Sequence, residues 1–320
     1  MRFSKILVTG GAGFIGSAFV KTLLREGLSL KGDVPKVIVV DKLTYAGDLK
    51  RLEDVKGKFK FYKADICDKK QMERIFKKEK PDAVLNFAAS THVDRSIQDA
   101  APFIKTNIMG TKVVLDACRK YKTTRFIHIS TDEVYGEIIK GSFSEDSPLC
   151  PNSPYAASKA AADLLIKSYI RTYNFPAIII RPCNNYGPWQ HPEKLIPLAI
   201  SQALRNLKVP IYAKGKNVRE WLYVTDCARA ILMILEKGKI GETYNVGSGC
   251  EKQNIEIVRM IFKILKKNQN LIEFVKDRPG HDFRYALDSR KIRDKLGWQS
   301  QVRFEDGIKN TIEWYLNNKT

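Results

Sequence analysis

Short runs rich in Val, Ile and Phe recur through the first half of the chain, and each is followed by a stretch whose apolar residues return with helical period. The strand-like runs are KILVT (5–9), KVIVV (36–40), FKFYKAD (59–65), AVLNFAA (83–89) and RFIHIS (125–130), with AIIIRP (177–182) as a further one. Helix-length segments at 14–26, 69–78 and 103–121 lie between them. A strand–helix–strand alternation requires crossover connections, which give parallel strands covered by helices on both faces. Strands buried on both sides read as continuous apolar runs, as these do. The expected fold is α/β, a doubly wound parallel sheet.

After residue 182 the pattern loosens into shorter helices, at 194–206, 226–237 and 254–267, among loops and scattered Pro. The expected organisation is therefore a sheet domain over 1–182 and a smaller, partly interleaved C-terminal substrate-binding lobe over 183–320. With neither a linker nor a repeat between them, the lobes are expected to pack directly and leave a cleft.

KILVTGGAGFIGSAFV sets Gly10, Gly13 and Gly16 directly after a strand and at the start of a helix. In a dinucleotide-binding, Rossmann-type turn the first glycine permits the tight bend, the second lets backbone approach a pyrophosphate, and the third brings helix against strand. The helix N-terminus then faces the negative charge. Asp41, at the end of the second strand, is placed to accept hydrogen bonds from an adenosine ribose. An anion there repels a 2′-phosphate, so NAD is expected over NADP. Asp65 and Ile66, ending the third strand, are candidates for the adenine side.

The 320 residues carry 55 Lys and Arg against 35 Asp and Glu, a formal net charge of +20. Both halves of the chain are basic and no nucleic-acid-binding signature appears, so the excess reads as a Lys-rich solvated surface, with nucleic acid an unlikely partner. The six cysteines lie far apart with no metal-ligand spacing; neither a disulfide framework nor a metal is expected. No apolar run approaches the ~18 residues of a membrane span, and the expected location is cytoplasmic.

SPYAASKAAADLL places Tyr155 and Lys159 four apart on a helical stretch, so both project from one face, with Ser153 and Pro154 as cap and first turn. A phenol titrates near ~10, too high for a base at neutral pH, and a nearby ammonium favours its phenolate. STDEVYG, at the end of the fifth strand, adds two adjacent acids, Asp132 and Glu133.

TGGAGFIG, FAAST, STDEVYG, PYAASKAAAD and RPCNNYGPWQHPEKLIP together resemble the extended short-chain dehydrogenase/reductase family. Within it, VDKLTYAGDL, THVDRSI, NVREWLYVTD and DRPGHDFRYALD resemble the nucleotide-sugar 4,6-dehydratases. These motifs run from residue 9 to about 288. The resemblance implies NAD as a catalytic cofactor and a nucleotide-diphosphate hexose as substrate, dTDP-glucose first. It makes Tyr155 the base at the 4-hydroxyl with Thr131 orienting that hydroxyl, Asp132 the acid at O6 and Glu133 the base at C5. On the cofactor it places Phe14, Ile15, Lys42, Leu43, Thr44, Phe87, Ala88, Ala89, Thr106 and Asn185, with Lys159 and Tyr155. On the substrate it places Thr91, Asn184, Lys194, Leu195, Tyr212, Arg219, Asn254, Arg278 and His281. It also implies a homodimer through the helices near 103–121 and 155–173. The chain departs from the usual pattern at Ser90, where an acid is common, and at His191, where Phe is. A UDP-glucose 4,6-dehydratase, a sugar 4-epimerase of the same fold, and an inactive NAD- or RNA-binding relative are the alternatives.

Overall fold

The computed structural model describes residues 3–28 and 34–318. Seven parallel strands form the central sheet: β1 (Lys5–Thr9), β2 (Lys36–Asp41), β3 (Phe59–Lys63), β4 (Ala83–Asn86), β5 (Arg125–Ile129), β6 (Ala177–Pro182) and β10 (Thr243–Val246). Their order is β10-β6-β5-β4-β1-β2-β3, with the chain reversing direction of travel between β1 and β4. This is the doubly wound α/β arrangement expected from the alternation, and ligands bind such sheets at the carboxyl ends of the strands beside that switch point.

Two-residue periodicity divides the sheet's side chains between its faces. Ile6, Val8, Val37, Val39, Leu85 and Ile127 enter one core, and Leu7, Ile38, Val40, Val84 and Phe126 enter the other. The first face is covered by α1 (Phe14–Glu26), through Phe19, Val20 and Leu23, and by α8 (Val224–Lys237). The second is covered by α2 (Lys69–Glu79), α5 (Thr111–Lys120) and α6 (Pro154–Tyr173), through Met72, Phe76, Val114, Leu115 and Ile166. The short helices α3 (Val93–Gln98) and α4 (Ala101–Phe103) precede α5, and between α4 and α5 the residues Ile104–Gly110 form a π-helix. A continuous α-helix is the expectation over 103–121; the wider turn is the difference, and such turns cluster at functional sites.

Beyond β6 the chain builds the smaller lobe. A three-stranded sheet joins β7 (Asn184–Tyr186), β9 (Val218–Tyr223) and β11 (Glu251–Gln253), and β8 (Val209–Tyr212) pairs with β12 (Ile272–Val275). Around a third core centred on Tyr186, Trp221 and Phe262 pack α7 (Leu195–Leu204), α9 (Asn254–Ile264) and α11 (Phe304–Asn317). The helix α10 (Arg290–Leu296) lies beside β10. Two elements from this later part of the chain, α8 and β10, belong to the main sheet layers, so the lobes are woven together.

Candidate active site

The turn after β1 exists only because its residues lack side chains. Gly10 has φ +66°, a conformation that disfavours other residues, and a β-carbon there would lie 2.5 Å from the Ala88 backbone nitrogen. At Gly16 a β-carbon would lie 2.3 Å from the Gly10 carbonyl oxygen. Gly13 caps α1 with no side-chain hydrogen bond, which leaves the helix's first N–H groups to an incoming anion. Asp41 closes the turn: its carboxylate accepts from Ala12 N at 3.0 Å and from Leu43 N at 2.8 Å. Burial raises its pKa, against the pull of those amides and of Arg51.

From this turn an open cleft of about 480 Å³ runs along the carboxyl ends of the strands toward β5 and α6. Its walls include every cofactor candidate except Leu43, whose contribution is its backbone N–H to Asp41. The π-helix sets Thr106 on the cleft wall. It also turns Asn107 inward, where it accepts from Ser90 N at 2.8 Å and donates to Ser158 Oγ at 2.8 Å. Of the substrate candidates, Thr91, Thr131, Asn184 and Lys194 line the cleft. Leu195, Tyr212, Arg219, Asn254, Arg278 and His281 stand outside that lining, on the smaller lobe. Arg278 nevertheless spans the lobes through an ion pair with Asp94 at 3.2 Å, and Arg219 is buried over the Tyr285 ring. Tyr212 and His281 face each other with ring centroids 6.1 Å apart.

At the far end, β5 stops at Ile129 and the backbone turns through a single 3₁₀ turn, Asp132–Tyr135, capped by the Thr131 hydroxyl on Glu133 N. This places both acids inside the cleft rather than in solvent. Their surroundings are unequal. Asp132 meets Glu133 and Glu220, and burial together with these like charges pushes its pKa far above the ordinary carboxyl range. Its Oδ1 accepts from Thr131 Oγ1 at 3.2 Å and its Oδ2 has no hydrogen-bond partner. Glu133 is also raised by burial, but Lys194, Arg278 and Arg219 pull it back toward ionisation. Both carboxyls are thus raised by burial, Asp132 further by neighbouring like charge, while Glu133 alone of the two has three cations opposing the shift.

Helix α6 begins at a Ser153 cap, whose Oγ accepts from Ala156 N at 3.1 Å, with Pro154 in its first turn. Tyr155 and Lys159 follow on its inner face and both line the cleft. Burial, then the Glu133 charge, raises the Tyr155 phenol, and a hydrogen bond with Thr131 opposes them. Burial lowers Lys159 to about 8. Its ammonium donates to Ile129 O at 2.6 Å and lies 3.3 Å from His128 Nε2. The expectation that this ammonium favours the phenolate therefore meets an opposing field, set by burial and by Glu133.

Sequence reasoning passed over several cleft residues. Arg51 is buried, with Nη1 donating to Ala12 O at 2.9 Å and Ala46 O at 2.7 Å, and so braces the glycine turn. Tyr45 and Glu193 shape the mouth: the Arg95 guanidinium stacks 3.8 Å from the Tyr45 ring centroid and pairs with Glu193 at 2.9 Å. None carries a spacing signal, since their neighbours arrive from distant segments.

A family model described as GDP-mannose 4,6 dehydratase matches residues 7–311. The dTDP-glucose 4,6-dehydratase of Haemophilus influenzae is 47% identical, covering 98% of each chain. The Escherichia coli dTDP-glucose 4,6-dehydratase 1 is 48% identical over 98% of this chain and 93% of its own. Among solved structures, that of DesIV, a dTDP-glucose 4,6-dehydratase from Streptomyces venezuelae with NAD and TYD bound, superposes with a TM-score of 0.94 at 46% identity, covering 98% of each chain.

Proposed function

The chain belongs to the nucleotide-sugar dehydratase family that the GDP-mannose 4,6 dehydratase model describes, and from that premise we propose that it catalyses the NAD-dependent 4,6-dehydration of dTDP-glucose. The observation that carries this reading is the pair Asp132 and Glu133, adjacent, enclosed in one cleft with Tyr155, and held in unequal electrostatic surroundings. The glycine cradle, its uncapped helix end and Asp41 fit NAD: β-carbons at Gly10 or Gly16 would collide with neighbouring backbone and open the tight turn, and at Gly13 the free helix N–H groups are left to an anion.

NAD, held by the glycine turn, the N-terminus of α1 and Asp41, would supply the acceptor for the C4 hydride and its donor to C6. Tyr155 accepts the proton of the 4-hydroxyl, with Thr131 holding that hydroxyl near the phenol. Lys159 supplies a positive charge at the same wall. The 4-ketone so formed acidifies the hydrogen on C5. Glu133, kept toward its anion by Lys194, Arg278 and Arg219, removes that proton. Asp132, kept protonated by burial and by two neighbouring carboxylates, delivers a proton to the departing 6-hydroxyl, which leaves as water. When hydride returns to C6, C5 takes back a proton from Glu133, and the product is a 4-keto-6-deoxy sugar. An epimerase acting at C4 needs no proton donor and acceptor at C5 and C6, so the carboxyl pair favours dehydration.

Arg278 and Arg219 are the proposed partners of the diphosphate, from the side of the smaller lobe. Exposed apolar residues on the segments expected to pair, Ile104 (50% exposed), Met109 (53%) and Leu164 (57%), support a homodimer. No helix among the described residues is long and apolar enough to cross a membrane. A cytoplasmic location is part of the same reading.

The test is a panel of purified protein with dTDP-glucose, UDP-glucose and GDP-mannose. A product absorbing in alkali, formed fastest from dTDP-glucose, is expected. Formation of galactose overturns dehydration, and salt-dependent retention on RNA with no turnover of any sugar nucleotide overturns catalysis altogether.

A further inference from the structure

Asp132 and Glu133 ride on a turn whose last residue the reaction scheme leaves without a part. Tyr135 closes that 3₁₀ turn, is 1% exposed, and packs in the core rather than among the residues that line the cleft. Its hydroxyl works in both directions, accepting from Arg181 Nη1 at 2.7 Å and donating to Asn245 Oδ1 at 2.7 Å. The Asn245 amide is oriented independently, because its Nδ2 donates to Phe143 O at 2.9 Å and so leaves Oδ1 as the acceptor. The Phe143 ring stacks on that of Tyr135, with centroids 5.0 Å apart and planes 14° from parallel.

These contacts tie the turn to three elements. Arg181 stands on β6, and its Nε donates at 2.9 Å to Asp163 Oδ2 on α6, the helix that carries Tyr155 and Lys159. Asn245 stands on β10. Among the described residues the Asp132 carboxyl has a single hydrogen bond, with Thr131 Oγ1 at 3.2 Å. A side chain so lightly held takes its position from the backbone beneath it. We propose that Tyr135 is a positioning residue for elimination: its hydroxyl, bridging Arg181 and Asn245, sets the turn so that Asp132 and Glu133 meet O6 and C5 of the hexose. The inference rests on the dehydratase reading and extends it to a residue one layer behind the reacting groups.

Oxidation at C4 leans on other supports. Tyr155 follows the Ser153 cap on a helix of 20 residues, and Thr131 is placed by the end of β5, where Ser130 N donates to Ile180 O at 2.7 Å. Loss of the Tyr135 hydroxyl therefore separates the two steps: hydride and proton still leave C4 and O4, while the pair that takes the C5 proton and protonates O6 is displaced. A shift of about 1 Å in a reacting group costs on the order of 10²-fold. Burial pushes the Tyr135 phenol up to about 12, so it keeps the proton it donates to Asn245.

Tyr135→Phe removes one oxygen and keeps the ring against Phe143, whereas Asn245→Ala removes the acceptor. After each holoenzyme is mixed with dTDP-glucose at low temperature, stopped-flow absorbance is expected to show NADH forming at the unaltered rate and decaying roughly ten- to hundredfold more slowly. Bound NAD per chain should match the unaltered protein, a readout that general loosening of the fold would lower together with NADH formation. The double variant should decay about as slowly as the slower single one, since both side chains serve one link. NADH decay at the unaltered rate in Tyr135→Phe, or NADH formation slowed in step with turnover, overturns the proposal. If neither single variant gives soluble holoenzyme, the contact belongs to folding and the positioning role falls. If the unaltered protein forms neither NADH nor product from any sugar nucleotide, the dehydratase reading itself fails.

Discussion

Replacing Glu133 by Gln separates the two halves of the reaction, and the structure gives the direction of change in each. The glutamate's charge is the second largest influence raising the Tyr155 phenol, after burial. A neutral amide removes that influence, so loss of the 4-hydroxyl proton should be no slower than in the unaltered protein. The same charge helps keep Asp132 protonated, and burial alone remains the larger cause of that state. What disappears outright is the acceptor for the C5 proton. A positioned general base contributes typically ~10²–10⁴-fold, or about 2.7–5.4 kcal/mol of barrier. Overall turnover should fall by that factor while C4 oxidation continues. Stopped-flow absorbance in the NADH band, after mixing with dTDP-glucose, should therefore show enzyme-bound NADH rising and persisting in the variant. Should NADH formation fall in parallel with turnover, Glu133 serves the oxidation step and the division of labour between the two acids is wrong.

Tyr155→Phe should abolish that NADH signal and lower turnover at least ~10²-fold with NAD content unchanged, read from the same stopped-flow trace and from the nucleotide released on denaturation. Asp132→Asn should stabilise the fold while disabling elimination. A carboxyl whose folded pKa is raised contributes stability below its unfolded pKa and loses it as pH rises through the folded value. The neutral variant should therefore be more stable than the unaltered protein at neutral pH by about 0.5–2 kcal/mol, with the difference shrinking as pH falls toward the ordinary carboxyl range, measured as melting temperature against pH. Gly16→Ala should destabilise by about 1–3 kcal/mol and lose bound NAD, because its β-carbon would lie 2.3 Å from the Gly10 carbonyl oxygen; thermal denaturation and nucleotide analysis check it. Arg181→Met strands the fully buried Asp163 and should cost about 3–5 kcal/mol in denaturant unfolding.

Much of the sheet could be read from local pattern, since a strand buried on both faces must be apolar along its whole length. The runs at 5–9, 36–40, 125–130 and 177–182 fall within a residue of β1, β2, β5 and β6. β10 escaped notice because TYNV has four residues, two of them polar, and its burial comes from pairing with β6 rather than from composition. The π-helix at 104–110 left no mark either, because one wide turn shifts the apolar period without breaking it. At the site, Gly10, Asp41, Asp132 and Tyr155 stood out because each sits at a junction between elements. Arg51 did not, since its role depends on partners far along the chain, Ala12 and Trp189.

The seventh strand makes catalytic assembly wait for synthesis. Asn245 on β10 accepts the Tyr135 hydroxyl at 2.7 Å, and Tyr135 in turn accepts from Arg181 Nη1 at 2.7 Å, which fastens the short turn bearing the two acids. A growing polypeptide that has emerged only as far as β6 holds that turn through Arg181 alone, and it still lacks α8, which covers the face on which α1 packs. The turn that bears the two acids therefore gains its second anchor only when the last strand of the main sheet has been made.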